Sequence, residues 1–262
     1  MEDLHNIAVL IDADNTQLSR LESLLHEVSA YGRIVVKKAY GNWKKPELKN
    51  WEAEVKRLAI KTEQQFDYVS GKNTTDIALT IDALDLLHEN MYDAFVLVSS
   101  DSDFTPLAIR LRESGAYIIG AGEGKTPIAF KNACDDFILV EYLTQTNSSN
   151  RGRKNRGDNA AQEERIYQQT KKSQPVEEED ADDSDIEEIH ALLQIASKKY
   201  QDDDGFVNAA IAGSYIKRAK PDFTSYSYGY SKLSELLRAF PDRYKVKKIS
   251  NGRSSNVLYK CL

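Results

Sequence analysis

The sequence predicts an α/β fold, a doubly wound and mainly parallel sheet, followed by a small winged helix-turn-helix domain. Three observations carry this expectation. Up to about residue 145, short apolar runs bounded by turns alternate with longer stretches of helical periodicity, the pattern of consecutive βαβ units. Aliphatic residues then vanish from a polar stretch in the middle of the chain. The last segment carries three amphipathic helical patterns ahead of two alternating strands.

The strands of the first part are expected at residues 7–11, 32–40, 66–69, 95–99, 116–120 and 137–140. Between them, residues 18–30 repeat Leu18, Leu21, Leu24, Leu25 and Val28 on one helical face, and residues 51–60 carry Trp51, Val55, Leu58 and Ala59. Residues 77–88 and 106–114 follow the same rule. In the last part, helices are expected at 186–200, 206–217 and 231–239, the third ending before Pro241. Strands at 244–249 and 256–261 then flank the turn-forming SNGRSS. Residues 1–145, 146–183 and 184–262 are thus read as a catalytic-size domain, a flexible charged linker and a small second domain. The linker is basic first and acidic afterwards, and is too polar to offset its chain entropy by burial.

A net charge of −6 argues against a nucleic-acid partner only on average. Residues 1–145 hold 23 acids and 15 bases, whereas residues 184–262 hold 9 acids and 13 bases, so the C-terminal part is the basic one. Cys134 and Cys261 lie far apart without histidines at ligand spacing, which excludes a zinc site or a disulfide framework. No apolar run reaches membrane-spanning length and no cleavable signal pattern is present, so a soluble, cytoplasmic protein is expected.

In open α/β sheets, functional groups gather at the carboxyl ends of parallel strands. Asp12 and Asp14 end the first strand in AVLIDADN, Asp101 and Asp103 follow the fourth in VLVSSDSDF, and Asp76 precedes the helix at 77–88. Each could alone be a helix cap or a turn residue. Together they are harder to explain by capping. Carboxylates held close repel one another unless a cation compensates, so the set suits a hard divalent ion, Mg²⁺ or Mn²⁺. Such an ion neutralises phosphate oxygens and activates water for phosphodiester hydrolysis. Asp12, Asp76, Asp101 and Asp103 are the expected catalytic and metal-binding residues. Asp14, Asn15, Thr75, Ser99 and Ser100 are supporting candidates, and Lys72 could approach a phosphate. Asp82, six positions after Asp76, lies well off its helical face and ranks with the supporting group. Neither GKNTT nor the glycine-rich GAGEGKTP with Lys125 has phosphate-loop spacing, and the latter reads as a loop beside the site.

The segments VLIDADN, GKNTTDIALTIDALDLL and FVLVSSDSDFTPLAIRLRESGAYIIGAGEG together resemble the NYN domains, a branch of the PIN-like ribonucleases, over roughly residues 4–143. The resemblance implies a PIN-like three-layer α/β/α sandwich that binds one or two divalent ions through Asp12, Asp76, Asp101 and Asp103 and cleaves RNA. Asp14 is an extra acid inside the family's D-x-x-N motif, and Ser100 stands where a glycine is usual. From about Asp185, the runs GFVNAAIAGSYIKRAKPDF, FTSYSYGYSKLSELLRAFP and YKVKKI are similar to OST-HTH/LOTUS domains, which implies RNA binding or docking of a protein partner.

The residues themselves agree in part. Lys217, Arg218 and Lys220 precede Phe223, Tyr226, Tyr228 and Tyr230, and Arg243, Lys245, Lys247, Lys248 and Arg253 lie on the expected hairpin. Bases interleaved with aromatics suit phosphate contact and base stacking, although Phe223, Tyr228 and Leu233 also suit a core. Two rival functions stand beside the ribonuclease. DADNT at 12–16 fits the D-x-D-x-[TV] motif of haloacid-dehalogenase-like phosphatases, with Asp12 as nucleophile and Asp14 as acid/base. The other rival is an RNA-binding adaptor without turnover.

Overall fold

The computed structural model describes residues 4–66, 73–143, 183–202, 204–251 and 254–262. The candidates Lys72 and Arg253, and all of the expected linker but its last residue, Asp183, lie outside these residues. Six strands, β1 (Leu4–Asp12), β2 (Gly32–Gly41), β3 (Lys61–Gln64), β4 (Ala94–Val98), β5 (Tyr117–Gly122) and β6 (Asp136–Leu139), form one sheet in the order β3-β2-β1-β4-β5-β6. Every neighbouring pair is parallel. The central strands β1 and β4 are apolar on both faces because helices cover both sides: Ile7 to Ile11 have no exposed surface.

One core joins the sheet to α1 (Leu21–Ser29) and α2 (Trp51–Arg57) through Leu21, Leu24, Val28, Trp51 and Val55. The opposite core holds α3 (Thr74–His88), α4 (Thr105–Glu113) and α5 (Ile128–Ala133) through Leu79, Ala83, Leu107, Leu111 and Phe130. The result is a three-layer α/β/α sandwich.

The expected strand at 66–69 is corrected. The third strand is Lys61–Gln64, hydrogen-bonded in register with Lys38 to Gly41, while Phe66 is exposed and 67–69 lie outside the described residues. The cause is the end of α2. Ala59 adopts a left-handed φ of 51°, with Ile60 N–H bonded to Val55 O and Ala59 N–H to Lys56 O. This Schellman-type stop is usually marked by glycine, and here no glycine marks it. The helix expected at 51–60 therefore ends at Arg57. An edge strand needs no apolar alternation, so KTEQ gave no strand signal. The helix expected from residue 77 begins at Thr74 instead, which puts Asp76 inside its first turn.

The second domain contains α6 (Asp183–Tyr200), β7 (Val207–Asn208), α7 (Ala209–Ala219), α8 (Leu233–Ala239), β8 (Tyr244–Asn251) and β9 (Ser254–Cys261). Its antiparallel sheet runs β7-β9-β8. The helix expected at 206–217 starts later because Val207 and Asn208 pair with β9, after which the Asn208 side chain caps Ala210 N–H. Ile189, Leu193, Ala212, Ile216, Leu236, Leu237 and Tyr259 fill its core, and buried Tyr259 donates its hydroxyl to Leu193 O at 2.8 Å. Among the described residues no helix is long and apolar enough to cross a membrane.

Candidate active site

The strand order reverses direction between β1 and β4: the chain moves from β1 out to β3, then crosses back to β4. A crevice opens at such a switch point, outside the carboxyl ends of the two strands. Asp12 is the last residue of β1, and Ser99, Ser100 and Asp101 follow β4. In this position a dinucleotide-binding fold carries glycines. Here the β1 turn is DADN, whose acids repel phosphate unless a cation intervenes.

Asp12 forms the floor of the site. It has no exposed surface, and burial holds its pKa above the ordinary carboxylate value. Its Oδ2 accepts from Asn15 Nδ2 and Ser99 Oγ, both at 2.8 Å, and its Oδ1 from Asp14 N–H at 3.1 Å. Ser99 Oγ in turn accepts Asp101 N–H at 3.1 Å, and Asp101 Oδ1 accepts Asp103 N–H at 2.9 Å. A continuous chain of hydrogen bonds thus runs from the buried floor to the exposed rim. It fixes the loop that carries both later acids.

Asp76, Asp101 and Asp103 each offer a carboxylate oxygen, and these oxygens lie within 4.8 Å of one another. Asn73 Nδ2 orients Asp103 by donating to its Oδ2 at 2.6 Å. Burial, and then the charges of Asp12, Asp101, Asp103 and Asp14, push the Asp76 pKa up to about 6. Among the described residues, none of the ion pairs involves Asp76, Asp101 or Asp103. The donor set fits a hard divalent ion. Oxygens on one Mg²⁺ or Mn²⁺ span at most about 4.2 Å, so a small side-chain rotation closes the site. Asp12 sits beneath this trio, outside the set of mutually close oxygens.

The remaining candidates separate clearly. Asp14 accepts from Lys45 Nζ, beyond the end of β2, and from Thr75 Oγ1 at the start of α3, both at 3.2 Å. Ser100 Oγ accepts Glu123 N–H at 2.9 Å, tying the loop after β5 to the one after β4. Asp82 is turned away, engaged by Lys38 Nζ at 2.7 Å and by the Tyr40 hydroxyl. Lys125 is exposed and paired with Glu123. The phosphatase alternative does not suit this geometry. An Asp12 nucleophile needs an accessible oxygen, and both Asp12 oxygens are buried and already accept hydrogen bonds.

A family model described as NYN domain matches residues 6–141, more than half of the chain. The chain belongs to the NYN domain family. A second family model, OST-HTH/LOTUS domain, matches residues 184–255. The NYN chain is 27% identical over 142 residues to an uncharacterized protein of Methanocaldococcus jannaschii, covering 52% of this chain and 55% of that protein. It thus spans about half the length of the curated relative it matches. Among solved structures it is similar to a protein of unknown function from Vibrio parahaemolyticus, at 18% identity and a TM-score of 0.44 over 53% of this chain and 95% of that one. It is also similar to an uncharacterized protein of Nitrosomonas europaea, at 27% identity and a TM-score of 0.25 over 28% of this chain and 71% of that one.

In the OST-HTH domain the basic candidates divide into engaged and exposed groups. Lys217 pairs with Asp136 of the NYN domain, and Lys220 with Asp185 and Glu188, which withdraws both from phosphate contact. Tyr228 packs beside buried Phe223 at 6.0 Å between ring centroids, so these aromatics serve the core. Arg218, Lys245 and Lys248 are exposed, and Lys247 Nζ lies 3.6 Å from the centroid of the Phe206 ring. Sequence reasoning missed Asn73 and Lys45. Asn73 directly precedes the TTD turn, and Lys45 lies beyond the carboxyl end of β2, so the strand-end rule could have found it.

Proposed function

We propose that this chain is a divalent-metal-dependent endoribonuclease whose OST-HTH domain binds the RNA, with a NYN domain at residues 1–145, a flexible linker at 146–183 and the OST-HTH domain at 184–262. The observation that carries this reading is the meeting of Asp76, Asp101 and Asp103 oxygens within 4.8 Å at the switch point of the sheet. These residues would hold Mg²⁺ or Mn²⁺. When bound, the ion supplies phosphate charge neutralisation and a lowered pKa for coordinated water.

The chain's own residues prepare the centre. Asp12, through Ser99, holds the Asp101 backbone in place, and Asn73 sets the direction of the Asp103 carboxylate. The crevice is acidic, so a polyanion cannot approach it closely without a cation. The attraction for RNA comes instead from Arg218, Lys245 and Lys248, which are exposed on the second domain.

The test is incubation of the purified chain with labelled single-stranded RNA, single-stranded DNA and a small phosphate ester, in Mg²⁺, Mn²⁺ or chelator. Metal-dependent appearance of internal RNA fragments is expected. Binding without cleavage in either metal would favour an adaptor, and release of phosphate from the small ester would favour a phosphatase.

A further inference from the structure

Strand β6 is the short outer strand of the NYN sheet, and an outer strand leaves backbone groups in need of partners. The second domain supplies one: Phe137 N–H donates to Pro221 O at 3.0 Å. Beside it, Asp136 is 3% exposed, and a carboxylate so buried is costly without compensation. It accepts from the Tyr31 hydroxyl, whose phenol is kept protonated by burial and by Asp136 itself. Both of its oxygens also accept from Lys217 Nζ at 3.0 Å. The charge that compensates Asp136 therefore comes from the OST-HTH domain.

A second cross-domain pair reaches towards the acidic centre. Lys131 is 8% exposed, an unusual burial for lysine. Its Nζ donates to Gly124 O at 2.9 Å and pairs with Asp222 of the OST-HTH domain at 3.3 Å. Gly124 belongs to the loop after β5, where Glu123 N–H donates to Ser100 Oγ at 2.9 Å. The strand end that leads into this loop is packed tightly: a Cβ on Gly122, the last residue of β5, would lie 2.7 Å from Ser99 O and 3.1 Å from Ser100 Oγ. Ser99 and Ser100 immediately precede Asp101, and Ser99 Oγ accepts its N–H.

We infer that Lys131 is a positioning residue through which the docked OST-HTH domain holds the 123–126 loop against Ser100, and so supports the strand end bearing Asp101 and Asp103. The second domain is then part of the framework of the cleavage centre as well as an RNA-binding module. The catalytic consequence rests on the ribonuclease reading above. The structural part does not.

The experiment uses the full chain and four variants, Asp222→Asn, Lys217→Gln, Lys131→Met and Lys131→Arg. Hydrogen exchange is followed at the Phe137 and Glu123 amides, and RNA turnover is measured in Mn²⁺. Lys217→Gln should speed exchange at Phe137, and Asp222→Asn and Lys131→Met should speed it at Glu123, each by about tenfold or more, as expected when a charge-assisted hydrogen bond is removed. In turnover, Lys131→Met should lower kcat with little change in the KM for RNA, and Lys131→Arg should recover most of the loss. Lys217 has a side chain 41% exposed, so its variant should fold even where the Lys131 or Asp222 variants do not. Unchanged exchange at Phe137 in Lys217→Gln, or at Glu123 in a folded Asp222→Asn protein, overturns the inference. A parent that exchanges as expected but leaves RNA intact refutes the ribonuclease reading alone.

Discussion

Replacing Asp76 with Asn should make the metal-free protein more stable while weakening its response to metal. Burial and four neighbouring carboxylates raise the Asp76 pKa from 3.8 to about 6. A group with a raised folded-state pKa contributes its stability fully below the unfolded value, near pH 3.8, and loses it as pH rises through about 6. At pH 7.5 the ionised side chain is therefore a burden on the metal-free fold. Two pKa units correspond to roughly 3 kcal/mol at most, and because the group is only partly buried, solvent screening reduces this to about 1–2 kcal/mol. Asn is neutral at every pH and escapes the penalty. For a domain of this size the gain is about 3–6 °C in Tm. Trp43 and Trp51 both lie in the NYN domain, so tryptophan fluorescence during heating follows that domain specifically. In chelator at pH 7.5 the variant should melt above the parent, and the difference should shrink towards zero near pH 3.8. In saturating Mn²⁺ the order should reverse, because a ligand at 100 times its Kd stabilises the parent by about 2.7 kcal/mol. A variant that melts below the parent in chelator, or a difference independent of pH, would refute the reasoning.

Three further outcomes are expected from the same geometry. Phe104 is 1% exposed and anchors the turn after Asp103 in the core, so Phe104→Ala should cost about 3–5 kcal/mol in urea unfolding and reduce cleavage with it. Gly122→Ala forces a Cβ to 2.7 Å from Ser99 O, and should lower RNA turnover more than it lowers Tm. Changing Lys245 and Lys248 together to Ala should weaken RNA binding and flatten its dependence on log salt, by about 0.7 for each single-strand phosphate that the variant no longer neutralises, measured by anisotropy titrations at several salt concentrations.

How much of this was legible in the sequence depended on the kind of signal each element leaves. Strands β1, β4 and β5 are buried on both faces, and their unbroken apolar runs announced them. Strand β3 was misplaced because an outer strand written KTEQ carries no apolar pattern, and because the stop before it uses Ala59 where a glycine would have signalled the turn. Helix α5, only six residues long, was too short to show a period. At the site, the strand-end rule named Asp12, Asp14, Asp101 and Asp103, while Asp76 stood at a helix start and leaned on the family resemblance; the division of labour among them was hidden. Asp12 and Asp101 look alike in sequence, and only the packing shows that one is a buried floor and the other a rim residue. Lys217 and Lys220 read as phosphate contacts by charge alone, since nothing local to them reveals that Asp136, Asp185 and Glu188 fold against them.

The central claim is that the acidic centre cleaves RNA, and its most direct test compares the full-length parent with Asp101→Asn on labelled single-stranded RNA in Mn²⁺, with binding measured on the same samples. Loss of an outer hydrogen-bond partner of a metal ligand typically costs about 10–100-fold, so removing a ligand charge at the centre should cost more than that. The account predicts Mn²⁺-dependent fragments from the parent, cleavage lower by more than about 100-fold in the variant, and equal RNA affinity for both. A variant that cuts as fast as the parent would contradict it.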